Sequence, residues 1–155
     1  MESNSKWNYP KRQPIDIYTS AITCDGILVL PKECLNDFFD ENDSENYVLT
    51  NSWEEGVICV YHTDAFEDII SNFSKLNLLD SRIRSLRRRI IGESVNIKIT
   101  DGTLTIFPNF LMSLGFDVDQ EANRIHSPFQ VTILKYPEKI EILSTAAYEE
   151  IRQND

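Results

Sequence analysis

The chain has 155 residues, 41% hydrophobic and 26% charged, with a formal net charge of −10. That length makes one compact unit or two small halves sharing a core; no apolar run approaches the ~18 residues needed to cross a membrane, and the acidity argues against indiscriminate nucleic-acid binding by the whole surface. The cysteines, Cys24, Cys34 and Cys59, lack CxxC spacing and read as free thiols of a reducing cytoplasm, and with only His62 and His126 beside them a Cys/His zinc site is not expected.

Residues 1–14 are polar and hold no apolar core of a signal peptide. Trp7, Tyr9, Pro10, Lys11, Arg12 and Pro14 show no periodicity and read as an extended arm. Such an arm is either a disordered terminus or a basic segment that binds a partner subunit or DNA. Ile15, Ile17, Tyr18 and Ile22 then form a β-prone run, and Ile27 to Leu30 form another. The Asp25-Gly26 dipeptide between them marks a hairpin. Lys32 to Phe39 reads as a short helix and Asp40 to Glu45 as an acidic loop. Acids concentrate from Glu33 to Glu55, with Lys32 alone beside them.

Tyr47 to Thr50 and Val57 to Tyr61 read as strands. The second is nearly all apolar, as a strand buried on both faces would be. Thr63 is placed to cap a helix over Asp64 to Phe73, where Phe66, Ile69, Ile70 and Phe73 make an apolar stripe. Asp80 is placed to cap the next helix, in which Ile83, Leu86 and Ile90 share one face. Arg82, Arg84, Arg87, Arg88 and Arg89 occupy the rest of that helix, and Gly92 ends it.

The order of elements then begins again. Asn96 to Ile99 and Thr103 to Phe107 read as strands around the Asp101-Gly102 turn. Phe110 to Leu114 is a short helix, and Gly115 to Pro128 a longer loop. Val131 to Leu134 and Lys139 to Leu143 are strands around Tyr136-Pro137, and Ser144 to Arg152 is the last helix. Asp25-Gly-Ile-Leu-Val-Leu matches Asp101-Gly-Thr-Leu-Thr-Ile, and His62-Thr-Asp-Ala-Phe-Glu-Asp-Ile matches Ser144-Thr-Ala-Ala-Tyr-Glu-Glu-Ile in the same order. Two matches in the same order, at offsets of 76 and 82, indicate a duplicated supersecondary unit. Each copy is too small to stand alone, so the two are expected to interlock.

From about residue 15 to 152 the chain resembles the MraZ family. The resemblance rests on Val60-Tyr61 before the first amphipathic helix, on Arg82 to Ser94, and on Lys139-Ile-Glu-Ile-Leu-Ser144 before the last helix. It implies an α+β fold of two pseudo-symmetric AbrB-like swapped-hairpin units with short helices around one core. The divisions are an arm over 1–14, a first unit over 15–79, an arginine-rich connecting helix over 80–92 and a second unit over 93–155. It further implies a ring-shaped homo-oligomer that binds DNA at the promoter of a cell-division and cell-wall gene cluster. It implies no cofactor, no membrane, no small-molecule substrate, and a cytoplasmic, nucleoid-associated place.

The family turn reads Asp-x-x-Gly-Arg, and its arginine is expected to face DNA. Here Ile27 follows Gly26 and Thr103 follows Gly102. Phosphate contact and base reading both favour arginine. The expected DNA-contacting set is therefore Gly26, Ile27, Gly102 and Thr103 at the turns, with Arg84, Arg87, Arg88 and Arg89 on the helix. The alternative is an assembly partner or antagonist that keeps the ring-forming fold and has lost the DNA contacts. The helix arginines have a structural reading too, as ion-pair partners of acids on a neighbouring subunit. No HExxH, Gly-rich phosphate loop or ordered Ser/His/Asp set occurs, so no enzyme is expected. Asp117, Asp119 and Glu121 alternate but lack the rest of an EF-hand loop, and no metal site is expected.

Overall fold

The computed structural model describes residues 13–39, 47–119, 121–122 and 124–153. The arm reading over most of residues 1–14 and the loop reading over 40–45 lie outside the described residues. In chain order the elements are β1 (Asp16–Ile22), β2 (Ile27–Val29), α1 (Lys32–Phe38), β3 (Tyr47–Asn51), β4 (Val57–His62) and α2 (Thr63–Ser74). Then come α3 (Ser81–Arg87), a π-helical turn (Arg88–Gly92), β5 (Val95–Ile97), β6 (Thr103–Thr105) and α4 (Pro108–Ser113). The chain finishes with β7 (Val118–Asp119), β8 (Arg124–Ile125), β9 (Phe129–Lys135), β10 (Lys139–Ser144) and α5 (Thr145–Gln153).

The fold is mixed α+β around a nearly closed antiparallel sheet. Its eight strands run in the order β5-β3-β4-β10-β9-β1-β2-β6, and a separate two-stranded hairpin joins β7 to β8. An isolated bridge between Thr100 and Thr103 carries the chain from β5 round to β6. The long pairings are between distant segments. β1 lies against β9 from Asp16–Lys135 to Ile22–Phe129, and β3 against β5 from Tyr47–Ile97 to Leu49–Val95. β4 meets β10, and β2 meets β6.

The main core contains Ile22, Leu28, Leu49, Ile58, Val60, Leu104, Ile133, Ile140 and Ile142, with Phe110 and Leu111 of α4 and Cys34 and Phe38 of α1. A second apolar layer lies on the other face of β3 and β4, where Val48, Cys59 and Tyr61 meet Phe66 and Phe73 of α2, Ile83 of α3, and Ile90. Alternate residues of β4 thus feed two cores, which explains its unbroken apolar run. Trp53 stacks on Phe73 at 5.3 Å, at the margin of that layer.

Several local expectations needed adjustment. His62, not Thr63, is the N-cap of α2, and no side chain caps it. On that helix Phe66 and Phe73 are buried, Ile69 is half-buried and Ile70 is exposed, because the helix seats on a narrow strip of β3 and β4. Asp80 does cap α3, accepting from the Arg82 amide at 2.9 Å. The predicted single helix over 80–92 is instead one α-helix continued by a π turn. The longer loop after α4 contains the β7–β8 hairpin.

Candidate nucleic-acid interface

The two turns anticipated as DNA-contacting flank one short ribbon, β2 against β6. Leu28 and Leu104 face the core, so Ile27, Val29, Thr103 and Thr105 point outward in the pairs Ile27–Thr105 and Val29–Thr103. The glycines tie the turns to this ribbon. The Gly26 carbonyl accepts from the Ile106 amide at 2.8 Å, and the Gly102 carbonyl accepts from the Leu30 amide at 2.9 Å. The Ser20 hydroxyl also donates to the Val29 carbonyl. Gly26 is buried, while Ile27, Gly102 and Thr103 are half-exposed. The outer face of the ribbon is therefore apolar and hydroxylic, without a cation of its own.

Charge sits beside the ribbon. Asp25, at the tip of the first turn, pairs with Arg124 of β8 at 3.0 Å, and the Ile125 amide donates to the Cys24 carbonyl. Reading residues 115–128 as a solvated loop missed Arg124. The lone Arg-Ile pair at residues 124–125, between acids and His126, was the only signal for it.

The arginines occupy another part of the molecule. The π turn is pinned to β3 by side chains. The Thr50 hydroxyl donates to the Ile90 carbonyl. The Asn51 amide donates to the Arg89 carbonyl at 2.9 Å and to the Glu93 carboxylate at 3.2 Å. A π turn leaves carbonyls without their usual helical partners, and buried Thr50 and Asn51 satisfy two of them. Arg89 reaches back to the Ser52 carbonyl at 3.3 Å. Arg84 donates to the carbonyls of both Leu78 and Leu79 at 3.1 Å. Arg82 pairs with Asp80 at 3.2 Å, which holds the Asp80 carboxyl below its usual range. Arg87 and Arg88 are exposed, without a partner among the described residues. Of the four helix arginines expected at DNA, two thus serve backbone carbonyls and two are presented to solvent. The π turn that carries Arg88 and Arg89 is anchored on β3, and the first turn leads into β2, a strand that is not a hydrogen-bonded neighbour of β3 in the sheet.

Among the described residues no group of three metal-ligating side chains occurs, and no helix is long and apolar enough to cross a membrane. Burial pushes the thiols of Cys34 and Cys59 up to about 12, as befits core residues rather than nucleophiles. Among the described residues a well-buried ion pair joins Lys139 to Glu141 at 2.9 Å, on the outer face of β10. Burial pushes the Lys139 ammonium down, but neighbours including Cys59 and Glu141 outweigh it, and its pKa stands above the ordinary value. No protein-family model matches the chain, and no curated protein matches it.

Proposed function

We propose that this chain is a MraZ-like regulator, built of two AbrB-like swapped-hairpin units, that binds DNA as a ring at the promoter of a cell-division and cell-wall gene cluster. The observation that supports the reading is that strands before the arginine-rich helix pair with strands after it, as swapped hairpins would. β1 of the first half pairs with β9 of the second, and β5 of the second pairs with β3 of the first. The halves also meet like to like, β2 on β6 and β4 on β10. Both Asp-Gly turns lead into the one β2–β6 ribbon, from its opposite ends. The protein acts by binding, without catalysis or cofactor, in the cytoplasm and at the nucleoid. Exposed Arg87 and Arg88 supply phosphate contacts, and the ring multiplies weak ones.

A second reading is a diverged assembly partner that no longer touches DNA. Ile27 and Thr103, and the uncharged outer face of the ribbon, favour it. Fluorescence anisotropy with DNA from upstream of the chain's own gene cluster separates the two. The first reading expects binding at low salt that weakens steeply as salt rises, with a log–log slope of about −0.9 per phosphate contact. Silence at low salt from the parent, with binding by the Ile27→Arg, Thr103→Arg double variant, selects the second reading. Silence from both removes the turns as a DNA surface.

A further inference from the structure

Two helices cover the outer face of the sheet and leave a groove between them. α2 packs on β3 and β4, and α5 packs on β9 and β10. The groove measures about 800 Å³, within the ~300–1,000 Å³ of clefts that enclose a ligand. The sheet supplies Val57 and Leu143 to it, and the helices supply Ile69, Tyr148 and Ile151. Its charged groups are already engaged. Lys139 pairs with Glu141 at 2.9 Å and Arg152 with Glu149 at 3.4 Å, and neither Glu54 nor Glu138 is free. What the groove offers an occupant is therefore apolar and aromatic surface, and charge does not choose what fills it.

The chain itself runs into this groove. Gln13 and Pro14 line it, and so does Ile17 of β1. The Ile15 amide donates to the Lys135 carbonyl at 2.7 Å, which fixes where the preceding segment leaves the sheet. Residues 1–12 lie outside the described residues, but their sequence holds two large aromatics, Trp7 and Tyr9, ahead of Pro10. An extended chain covers ~3.3–3.6 Å per residue, so Tyr9 falls within ~14 Å of Gln13 and Trp7 within ~22 Å. Trp and Tyr bring a large contact area for two side-chain torsions each and keep a polar tip for water. That suits a groove whose walls include exposed Ile17 and Ile151. Pro10 and Pro14 narrow the conformations the arm gives up on seating. A tether this short holds the aromatics at an effective concentration on the order of millimolar, so weak apolar contacts suffice.

We propose that the chain's own Trp7–Tyr9 segment seats in the groove between α2 and α5, its two aromatic rings against the apolar walls. The arm docks in cis and covers Ile17 and Ile151. The contact depends neither on DNA nor on assembly.

Trp7 reports on it directly. The chain has two tryptophans, Trp7 and Trp53, so Trp53→Phe leaves Trp7 alone and keeps an aromatic ring on Phe73. In that full-length protein Trp7 emission should lie to the blue of the denatured chain and resist quenching by acrylamide. Adding Ile151→Asp on α5, or separately Ile17→Asp on β1, should shift the ratio of seated to released arm at least ~5-fold toward release, the loss of one interface anchor. Ile70→Asp, exposed on α2 and not among the lining residues, should leave the emission unchanged. Circular dichroism checks that each variant keeps the parent fold, and two wall positions allow for one that does not. A solvent-like Trp7 in the Trp53→Phe protein overturns the contact. So does burial that survives the wall substitutions, or that Ile70→Asp disturbs equally. Burial that fades on dilution places the arm on a second copy and overturns seating in cis.

Discussion

The two hairpin turns reach the same ribbon by different chemistry. The first takes three residues, Cys24-Asp25-Gly26. The Gly26 amide bonds to the Thr23 carbonyl and the Thr23 amide to the Ile27 carbonyl, and within the loop only Gly26 has positive φ, at +81°. The second takes two residues, Asp101-Gly102, both at positive φ, +51° and +73°. Two-residue loops of this hand follow the twist of the strands, and a three-residue loop reaches the same end with one left-handed residue. The surroundings differ more than the loops do. A Cβ on Gly26 would lie 2.9 Å from the Ile106 carbonyl oxygen, whereas one on Gly102 would meet the flexible end of Leu35 at 3.2 Å. One turn is wedged into backbone, and the other rests on a side chain that can yield. A shared register therefore does not imply equal tolerance to change.

Substitutions rank the two turns. Gly26→Ala should cost about 3 kcal/mol, the sum of a left-handed alanine and a backbone collision. Gly102→Ala should cost about 1–2 kcal/mol, because only the left-handed conformation is strained while Leu35 turns aside. Chemical denaturation of both variants reads this order, and equal losses would mean that the Ile106 contact is not limiting. Asp25→Ala should cost about 0.5 kcal/mol or less, because the Asp25–Arg124 pair is well exposed. A larger loss would show that the β7–β8 hairpin depends on the first turn. Asp101→Gly should move stability by less than about 0.5 kcal/mol, relief of a left-handed residue offsetting added chain freedom.

A thiol probe sharpens the contrast without mutation, because Cys24 belongs to the first turn and the second has no counterpart. Cys24 is half-exposed, while Cys34 and Cys59 are buried. Burial raises the two buried thiols to about 12, so below that pH they stay protonated in the folded state. In the unfolded chain they ionise near the ordinary ~8.5. The protection is whole below that pH and is lost as pH rises toward 12. Alkylation near pH 8 should label one cysteine quickly in the folded protein and all three after denaturation. Prompt labelling of two in the folded state would contradict the packing around α1 or β4.

Local chemistry made much of this readable from the chain. The Asp-Gly dipeptides, the apolar run of β4 and the Asp80 cap each act over a few residues, and each stands where expected. The matching of distant strands was less readable, because β1 and β9 share no local signal and their alignment follows from the closure of the whole sheet. The π turn was also hidden. It is held by Thr50 and Asn51, nearly 40 residues upstream, whose side chains take up carbonyls that a π turn leaves over. Of the candidate site, the sequence named the turns and the arginines. It did not reveal that Arg84 and Arg89 are engaged by carbonyls, since any exposed helical arginine looks alike in a chain.

The pairing of β1 with β9 also sets a schedule for the newborn chain. Synthesis runs from the first residue to the last, so Asp16–Ile22 leaves the ribosome more than a hundred residues before Phe129–Lys135. At ~5–20 residues per second that is a wait on the order of ten seconds. In that interval β1 can form only its short hairpin contact, Ile22 with Leu28, and Ile17 and Tyr18 stand without their final partners. Late closure of long-range strands is slow and leaves apolar edges open to other chains. The first half thus waits with its long strand edge unpaired until Phe129–Lys135 is made.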